Sequence, residues 1–575
     1  MSTDFRAKRW RILRRCLLGA AVLVTLLAVF YTEESWRGQR AWEHCKRDLE
    51  SRGIKMDWKA YIPAPVPDSE NAFAIPGMQK IFLRSAGSAS SDFMARLNVF
   101  SNVDRIGNVR LVLAEVKIGL QGTTPPDGFA VLSYGDPHAR EQLVKWMEAA
   151  LGPKVRSPWV FPIVKRRLDE IQPAKIWLQC QTMPATNEVA QFLPKLSNPE
   201  WNQDFSEGGR VESTGNDSYQ VTMRSPITAD DYLAWNAWLK PDLAVMREAF
   251  KRPYARVESE YQDPPADPFT MQVSELGRTL TGMADCHLLL DQPEDALDDL
   301  TLMHYLCRVR EVQPGTTFAL LSTLTRMVVT ATSVKAIEDG LALHVWQDSQ
   351  LKELQEQLTD INYVAMLSQV WQRGAARTAG WLETATPSQL GQQVLGLNYS
   401  PRKTNVWSQC AATLIGNLIP RGWIYQNMAK RAKFYETISD WAEPSGERVF
   451  PERVEAAIQL VYSHASPYTF LGYAGLVDLS RRNENTARCQ TMVHEALIAC
   501  ALERYRLAHG AYPETLDTLV PQFLDKIPHD IIGGQPLHYH RAEDGKFILY
   551  SVGWNGTDDG GKPGSEDDWL WHDGH

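Results

Sequence analysis

A multidomain, predominantly α protein is predicted, with an N-terminal transmembrane helix, an irregular array of αα-hairpins and a C-terminal α+β domain. Three observations predict it. Cys16–Thr32 carries no charged residue and follows a basic cluster, helical periodicity runs from Thr228 to about Glu383, and a long helical pattern ending at Gly510 precedes two alternating runs. The 575 residues are enough for about three or four domains with buried cores. At 44% apolar and 22% charged, the chain is neither a peptide, a disulfide-stapled mini-protein nor a disordered acidic tail. Its net charge of −9 argues against nucleic acid as a partner, because phosphate binding needs a basic surface.

Residues 1–15 form a basic tail with Arg6, Lys8, Arg9, Arg11, Arg14 and Arg15 against Asp4, a net charge of +5. Residues 16–32 follow as the anchor. As a helix this run spans about 25 Å, slightly short of a hydrocarbon layer of about 30 Å. Trp10, Tyr31 and Trp36 stand where interfacial aromatics would extend it. The basic residues before it, with Glu33 and Glu34 after it, put the N-terminus in the cytoplasm and the rest of the chain on the far side. Two readings compete, a cleaved signal peptide and a buried core helix. Against cleavage, the run ends in Ala28-Val-Phe-Tyr31 without small residues at alternate positions.

Residues 33–61 continue the helix outward as an amphipathic stem, with Trp36, Ala41, Trp42, Cys45 and Leu49 at helical spacing. Residues 62–77 contain Pro63, Pro65, Pro67 and Pro76 and form a semi-rigid linker. Residues 78–227 are a mixed α/β region of unclear fold, with strand-like runs at Val109–Val116, Phe129–Ser133 and Lys175–Cys180 and a helix over Pro137–Leu151. Residues 228–383 are the helical-hairpin array, opened by a capping box at Thr228-Ala-Asp-Asp231. Met283–Leu306 places Ala284, His287 and Leu288 before an Asp291-Gln-Pro293 turn and Ala296, Leu297 and Leu300 after it. This hairpin resembles a tetratricopeptide unit, without a clean 34-residue period across the array. Residues 384–482 are helix and loop. Within them Asn405–Pro420 and Ala456–Val477 lack acidic and basic residues, and their Asn, Gln, His, Ser and Pro predict burial in protein rather than in lipid. The eight Cys, at 16, 45, 180, 286, 307, 410, 489 and 500, show no C-x-x-C. Buried free thiols are expected, with Cys286 and Cys307 as the one pair that could meet across a hairpin.

Residues 483–575 are the most informative. Cys489, Met492, Val493, Ala496, Ala499 and Cys500 give a long helix one apolar stripe, Gly510 ends it and Tyr512-Pro513 forbids continuation. Leu537–Arg541 and Lys546–Val552, joined by Glu543-Asp-Gly545, read as a β-hairpin. The succession ALERYRLAHGAYPETLDTL, IPHDIIGGQPLHYH and KFILYSVGWNGTDDGG resembles the globular part of the major pseudopilins of type II secretion (GspG type). The resemblance covers about 90 residues, and the prepilin-peptidase site that such proteins carry directly before this helix is absent. It implies a pseudopilin-like C-terminal domain and, with the basic tail, a single-pass protein of the bacterial inner membrane whose bulk is periplasmic. Asn555, Thr557, Asp559, Gly560 and Glu566 also match positions 1, 3, 5, 6 and 12 of an EF-hand calcium loop. The family resemblance implies a different ligand set, the Val552 carbonyl with Asn555, Ser565, Asp567 and Asp568. Both predict a structural Ca²⁺, held among Val552, Asn555, Asp559, Ser565, Glu566, Asp567 and Asp568. A solvated, flexible acidic tail is the competing reading.

Catalytic motifs fail on inspection. His494-Glu495 begins a zinc-protease motif, but Ile498 stands where the second His must be. Ser349-Gln-Leu-Lys352 lacks its companion motifs, and Asp348–Ser349 reads as a helix cap. His538 and His540 share a strand face without a third ligand. The expected function is therefore that of a membrane-anchored, exported structural or interaction protein, attached through residues 16–32, with a protein partner and no nucleic acid. The alternative is an exported membrane-anchored hydrolase with its active site in residues 78–227.

Overall fold

The computed structural model describes residues 2–62, 64–82, 93, 97, 110–155, 163–193, 210–215, 217–224, 228–256, 270–308, 311–313, 316–317, 320–395, 406–463, 479–542, 545–561 and 568–571. The described residues are predominantly helical, with a five-stranded mixed sheet, a three-stranded sheet and two short ribbons. Helix α1 (Ser2–Ser51) is unbroken and is long and apolar enough to cross a membrane. Leu17, Leu18, Val22, Leu23, Val24, Leu26, Leu27 and Val29 project into open space all round it.

The proline-rich segment does not remain free of the core. Asn71 Nδ2 donates to the Arg256 carbonyl (3.1 Å), and the Arg256 and Ala72 amides donate to Asn71 Oδ1 (3.0 Å) and the Tyr254 carbonyl (2.7 Å). Ala72 and Phe73 are buried, as are Met78, Ile81 and Phe82 of α2 (Pro76–Phe82). Proline removes donors from residues 63–67, but Asn71 supplies the amide pairing that ties the second half of the segment down.

Residues 110–224 form a five-stranded sheet in the order β2-β5-β1-β7-β6. β1 (Arg110–Leu120) is central and pairs parallel with β5 (Ala174–Cys180), which pairs parallel with β2 (Ala130–Ser133). On its other edge β7 (Ser218–Arg224) and β6 (Arg210–Gly215) run antiparallel. Helix α3 (Pro137–Leu151), capped by Asp136, packs Leu143, Met147 and Leu151 onto Leu113, Val116, Ile176 and Leu178. A ribbon of β3 (Lys154–Val155) and β4 (Ile163–Val164) and helix α4 (Thr186–Phe192) complete this region. The strands β1, β2 and β5 and the helix overlap the runs expected from sequence, with β1 continuing to Leu120, while β6 and β7 were not expected; their assembly into one sheet is set by non-local pairing.

The array comprises α5 (Ala229–Asn236), α6 (Lys240–Ala249), α7 (Thr270–Leu289), α8 (Pro293–Arg308), the ribbon β8 (Glu311–Gln313) and β9 (Thr316–Thr317), then α9 (Leu320–Ala342), α10 (Asp348–Thr359) and α11 (Tyr363–Thr384). Thr228 caps α5 as its spacing predicts, accepting from the Asp231 amide at 3.3 Å. α7 and α8 form the predicted hairpin, with Asp291 in the left-handed conformation at its turn (φ 62°). Beyond lie α12 (Pro387–Val394), α13 (Val406–Leu418), α14 (Arg421–Ser439), α15 (Pro451–Ser463) and α16 (Leu479–His509). All eight cysteines are free thiols.

Three expectations change. The stretch Asn405–Pro420 is not buried: α13 exposes Val406, Trp407, Leu414 and Leu418 and buries Ala412 and Gly416. Of Ala456–Val477, residues 464–477 lie outside the described residues. α16 is not a one-stripe helix, because Ala496 and Ile498 through Leu502 are all buried, enclosed by α9, α10 and α11 and by the C-terminal sheet. That sheet is β10 (His538–Arg541), β11 (Phe547–Ser551) and a third strand, β12 (Trp569–Leu570). The first two are the predicted hairpin, whose turn residues 543–544 lie outside the described residues.

Past Tyr31, α1 docks onto α14 in parallel: Cys45 Sγ lies 3.6 Å from the Ala429 carbonyl, and Arg52 pairs with Glu436 seven residues further on each helix. The buried stripe is Glu34, Gly38, Trp42, Cys45 and Leu49; Trp36 and Ala41, expected to belong to it, are exposed. A Cβ at Gly38 would overlap the Gly422 carbonyl, and one at Gly422 would overlap the Glu34 carbonyl, so both glycines are required by backbone contact. Gly38→Leu should lower the melting temperature of the detergent-solubilised full chain, by about 1–3 kcal/mol or more of stability. Gly19→Leu, in open space on the same helix, should leave it unchanged.

Candidate functional site

The predicted ligand loop is closed by hydrogen bonds in its described part. Asp568 is buried, and its carboxylate accepts from the amides of Asp559 (3.1 Å) and Gly561 (2.8 Å). Asn555 Oδ1 accepts from the Thr557 amide at 2.8 Å, and the Val552 amide donates to buried Asp530 at 3.0 Å. Asp559 is exposed. Ser565, Glu566 and Asp567 lie outside the described residues. Asp558, absent from the predicted set, accepts from the Tyr550 hydroxyl (3.0 Å) and the Gly560 amide (2.9 Å) and faces His538 (3.6 Å), tying the loop to the hairpin. Among the described residues no group of three or more His, Cys, Asp and Glu is arranged to hold a metal ion.

The signature around residues 502–513 folds into a helix-end lock. Buried Glu503 accepts from Arg506 (2.6 and 2.7 Å), His344 Nδ1 (3.0 Å) and the Tyr512 hydroxyl (2.9 Å). Burial would raise its pKa, but the hydrogen bonds from Arg506, His344 and Tyr512 hold it below the ordinary carboxylate value. Arg504 reaches Asp348 at 2.8 Å, so Asp348 serves as an ion-pair partner, while the N-cap position of α10 is Gln347, whose amide donates to Gln350 Oε1. His494 is equally occupied: Gln490 Nε2 donates to its Nε2 (3.0 Å) and Nδ1–H donates to the His529 carbonyl (3.1 Å). It is a half-buried imidazole whose pKa is lowered, chiefly by desolvation. His538 is stacked on Tyr550 at 4.8 Å, and its neighbour His540 points to solvent.

Two buried carboxyls lack such partners. Asp285 on α7 is fully buried, and neither oxygen has a hydrogen-bond partner among the described residues. Burial, then the charge of Asp339, pushes its pKa well above the carboxylate range. Lys335 is committed to Glu338 (3.0 Å) and Asp339 (3.7 Å). Glu495 on α16 is likewise pushed up by burial and then by Asp530 and Glu338. Both lie inside the helix packing, where burial favours their protonated forms. A third, Asp299, sits between Arg247 (3.1 Å) and His287 (3.2 Å), and burial still raises it.

An open cleft lies at the far end of the stem. A cavity of about 150 Å³ between the 3₁₀ turn Trp58–Tyr61, α11 and α14 is lined by Trp58, Tyr61, Trp371, Arg373, Arg377 and Tyr435. The Arg373 guanidinium lies over the Tyr61 ring, 5.9 Å from its centroid. Burial would raise the Tyr435 hydroxyl, but Arg431, a hydrogen bond with Thr378 and the field of Arg482 outweigh it and lower the pKa. The cleft is thus cationic and aromatic, sized for one side chain rather than for a whole substrate. It lay beyond sequence reasoning, because its walls come from residues more than 300 apart along the chain.

The chain matches no protein family, no curated protein and no solved structure.

Because burial raises Asp285 and Glu495 above their unfolded values, the native chain keeps protons that the unfolded chain releases. Their stabilising protonation is complete below about pH 4 and costs about 1.4 kcal/mol per group for each pH unit above it, up to the folded pKa. Asp285→Asn and Glu495→Gln should each raise the melting temperature at pH 8 and change it far less at pH 5, as read by thermal unfolding.

Proposed function

We propose that this chain is a single-pass, membrane-anchored interaction protein, with a cytoplasmic N-terminus and its bulk in the periplasm. The observation that carries the reading is the continuity of α1. One helix passes from a segment exposed on every side to a stripe locked against α14, so whatever holds residues 13–30 is coupled rigidly to the folded body. The basic residues before the run support the orientation. The likeness of residues 483–575 to pseudopilins supports association with the cell envelope. The buried acids favour a scaffold over an acid–base catalyst, since a catalytic pair must reach a substrate. The hydrolase alternative in residues 78–227 has less support: buried Cys180 is raised by burial, the opposite of an activated thiol. The partner chemistry best suited to the cationic cleft is an acidic side chain or a carboxylate terminus.

Calcium is a subordinate part of this reading, supported by the oxygen-ligand spacing and by six acidic side chains against one Lys in residues 555–575. The ion would be structural, bridging residues 552–555 to the acids at 566–568.

Topology is tested with single cysteines in a Cys16→Ser/Cys410→Ser background of the full chain. Glu455→Cys should react with an impermeant maleimide on intact spheroplasts and Thr3→Cys only after permeabilisation, with the chain resisting carbonate extraction. The reverse labelling, or release by carbonate, overturns the proposal. For calcium, the melting temperature of the full chain should rise from EGTA to millimolar Ca²⁺ and should not rise in Asp567→Ala. Asp568 is the poorer choice, because its loss frees two backbone amides whether or not an ion is bound. An unchanged melting temperature in the unmodified chain rejects the ion.

A further inference from the structure

We infer that α13 is a second membrane-contacting element, a short helix lying in the lipid interface beside the anchor. The inference rests on the anchoring proposed above. α13 has no charged residue, and Val406, Trp407, Leu414 and Leu418 are 73%, 83%, 64% and 61% exposed. Trp407, Cys410, Ala411, Leu414 and Leu418 recur at three and four residues and form one apolar stripe facing away from the protein.

The helix cannot turn that stripe inward. On its other side a Cβ at Gly391 would overlap the Ala412 carbonyl, and a Cβ at Gly416 would overlap the Pro387 carbonyl. These two close approaches to α12 fix the rotation of α13 about its axis and commit its large apolar side chains to the outside.

Its height is set by α1. The Tyr31 hydroxyl donates to the Leu418 carbonyl at 2.8 Å, and Tyr31 is the residue at which the all-round exposed run of α1 ends. α14 then starts at Arg421 and runs parallel to the stem, away from the run. The apolar face of α13 therefore begins where the anchor leaves the hydrocarbon, with Tyr31 and Trp407 as interfacial aromatics and Arg421 free to extend towards headgroups. At 13 residues, about 20 Å, α13 is too short to span, which leaves the interface as its place.

Two of its polar side chains fit this environment. Thr413 Oγ1 donates to the Gln409 carbonyl (2.9 Å) and Asn417 Nδ2 to the Thr413 carbonyl (2.8 Å). Their donors are engaged within the helix itself, so they do not confront lipid unsatisfied. The occupant of this face is the bilayer that holds α1, and a second copy of the chain or another protein are the outcomes that would refute it.

The test uses the full chain in vesicles of phosphatidylethanolamine and phosphatidylglycerol, with an NBD fluorophore on single thiols. Cys410 is native and exposed, and in Cys16→Ser the remaining described thiols are buried. Val24→Cys and Glu455→Cys, made in Cys16→Ser/Cys410→Ser, report the anchor and the aqueous surface. NBD at Cys410 should be blue-shifted and quenched severalfold more by a shallow doxyl lipid than at position 455, while position 24 responds more to a deep doxyl lipid. Trp407→Gln/Leu414→Gln should weaken quenching at 410 and leave position 24 unchanged. If position 24 is quenched but 410 behaves like 455, the helix stands clear of lipid and the inference fails while the anchor stands. A blue shift at 410 without lipid quenching means that protein covers the face, which also overturns it. Loss of quenching at position 24 rejects the anchor and the inference with it.

Discussion

Two glycines on different helices hold the folded body to the apolar N-terminal helix. Gly38 and Gly422 bring the backbones of α1 and α14 into direct contact, which no residue with a side chain permits. Close contact puts Trp42, Cys45 and Leu49 into the same core as Val364, Leu367 and Trp371 of α11 and Met428, Ala432 and Ile438 of α14. Burial of that size favours one fixed geometry over a swivelling tether. The start of α14, the Tyr31–Leu418 bond and the height of α13 all follow from this contact.

Within the body, carboxyl groups of the same kind meet opposite fates because of their neighbours. Glu503 is buried but surrounded by donors from Arg506, His344 and Tyr512, and it stays ionised as the node that joins α16 to the end of α9. Asp285 and Glu495 are buried where desolvation and other acids dominate, and both are pushed upward in pKa. The first arrangement ties elements together. The second stores a pH-dependent weakness in the packing around α16, tolerated because the helices enclosing it bury Leu276, Leu280, Leu354 and Leu502 in one core.

Much of the local structure was legible. Charge-free length marked the exposed run of α1, alternation marked β10 and β11, and Thr228, Asp291 and Gly510 marked a cap, a turn and a helix end. The candidate site was legible only in part. Of the predicted set, Asp568 closes on the Asp559 and Gly561 amides, but Asp558, Tyr550 and His538, which fasten that loop to the sheet, carry no spacing signal because they meet across strands. The cationic cleft was invisible for the same reason, its Trp58 and Tyr435 being brought together by the α1–α14 contact.

The sequence by itself determined where the chain is apolar, where its helices and hairpin begin and end, and on which side of the anchor its positive charge lies. Those properties are written in neighbouring residues, whose spacing sets the period and the caps. Tertiary structure decided what each apolar face meets. An uncharged helix such as α13 reads as buried in any protein, and only the glycine contacts with α12 and the bond to Tyr31 show its stripe turned outward beside the anchor. α16 reads as one-sided, yet α9, α10, α11 and the small sheet enclose it, because a pattern along one helix says nothing about how many partners surround it.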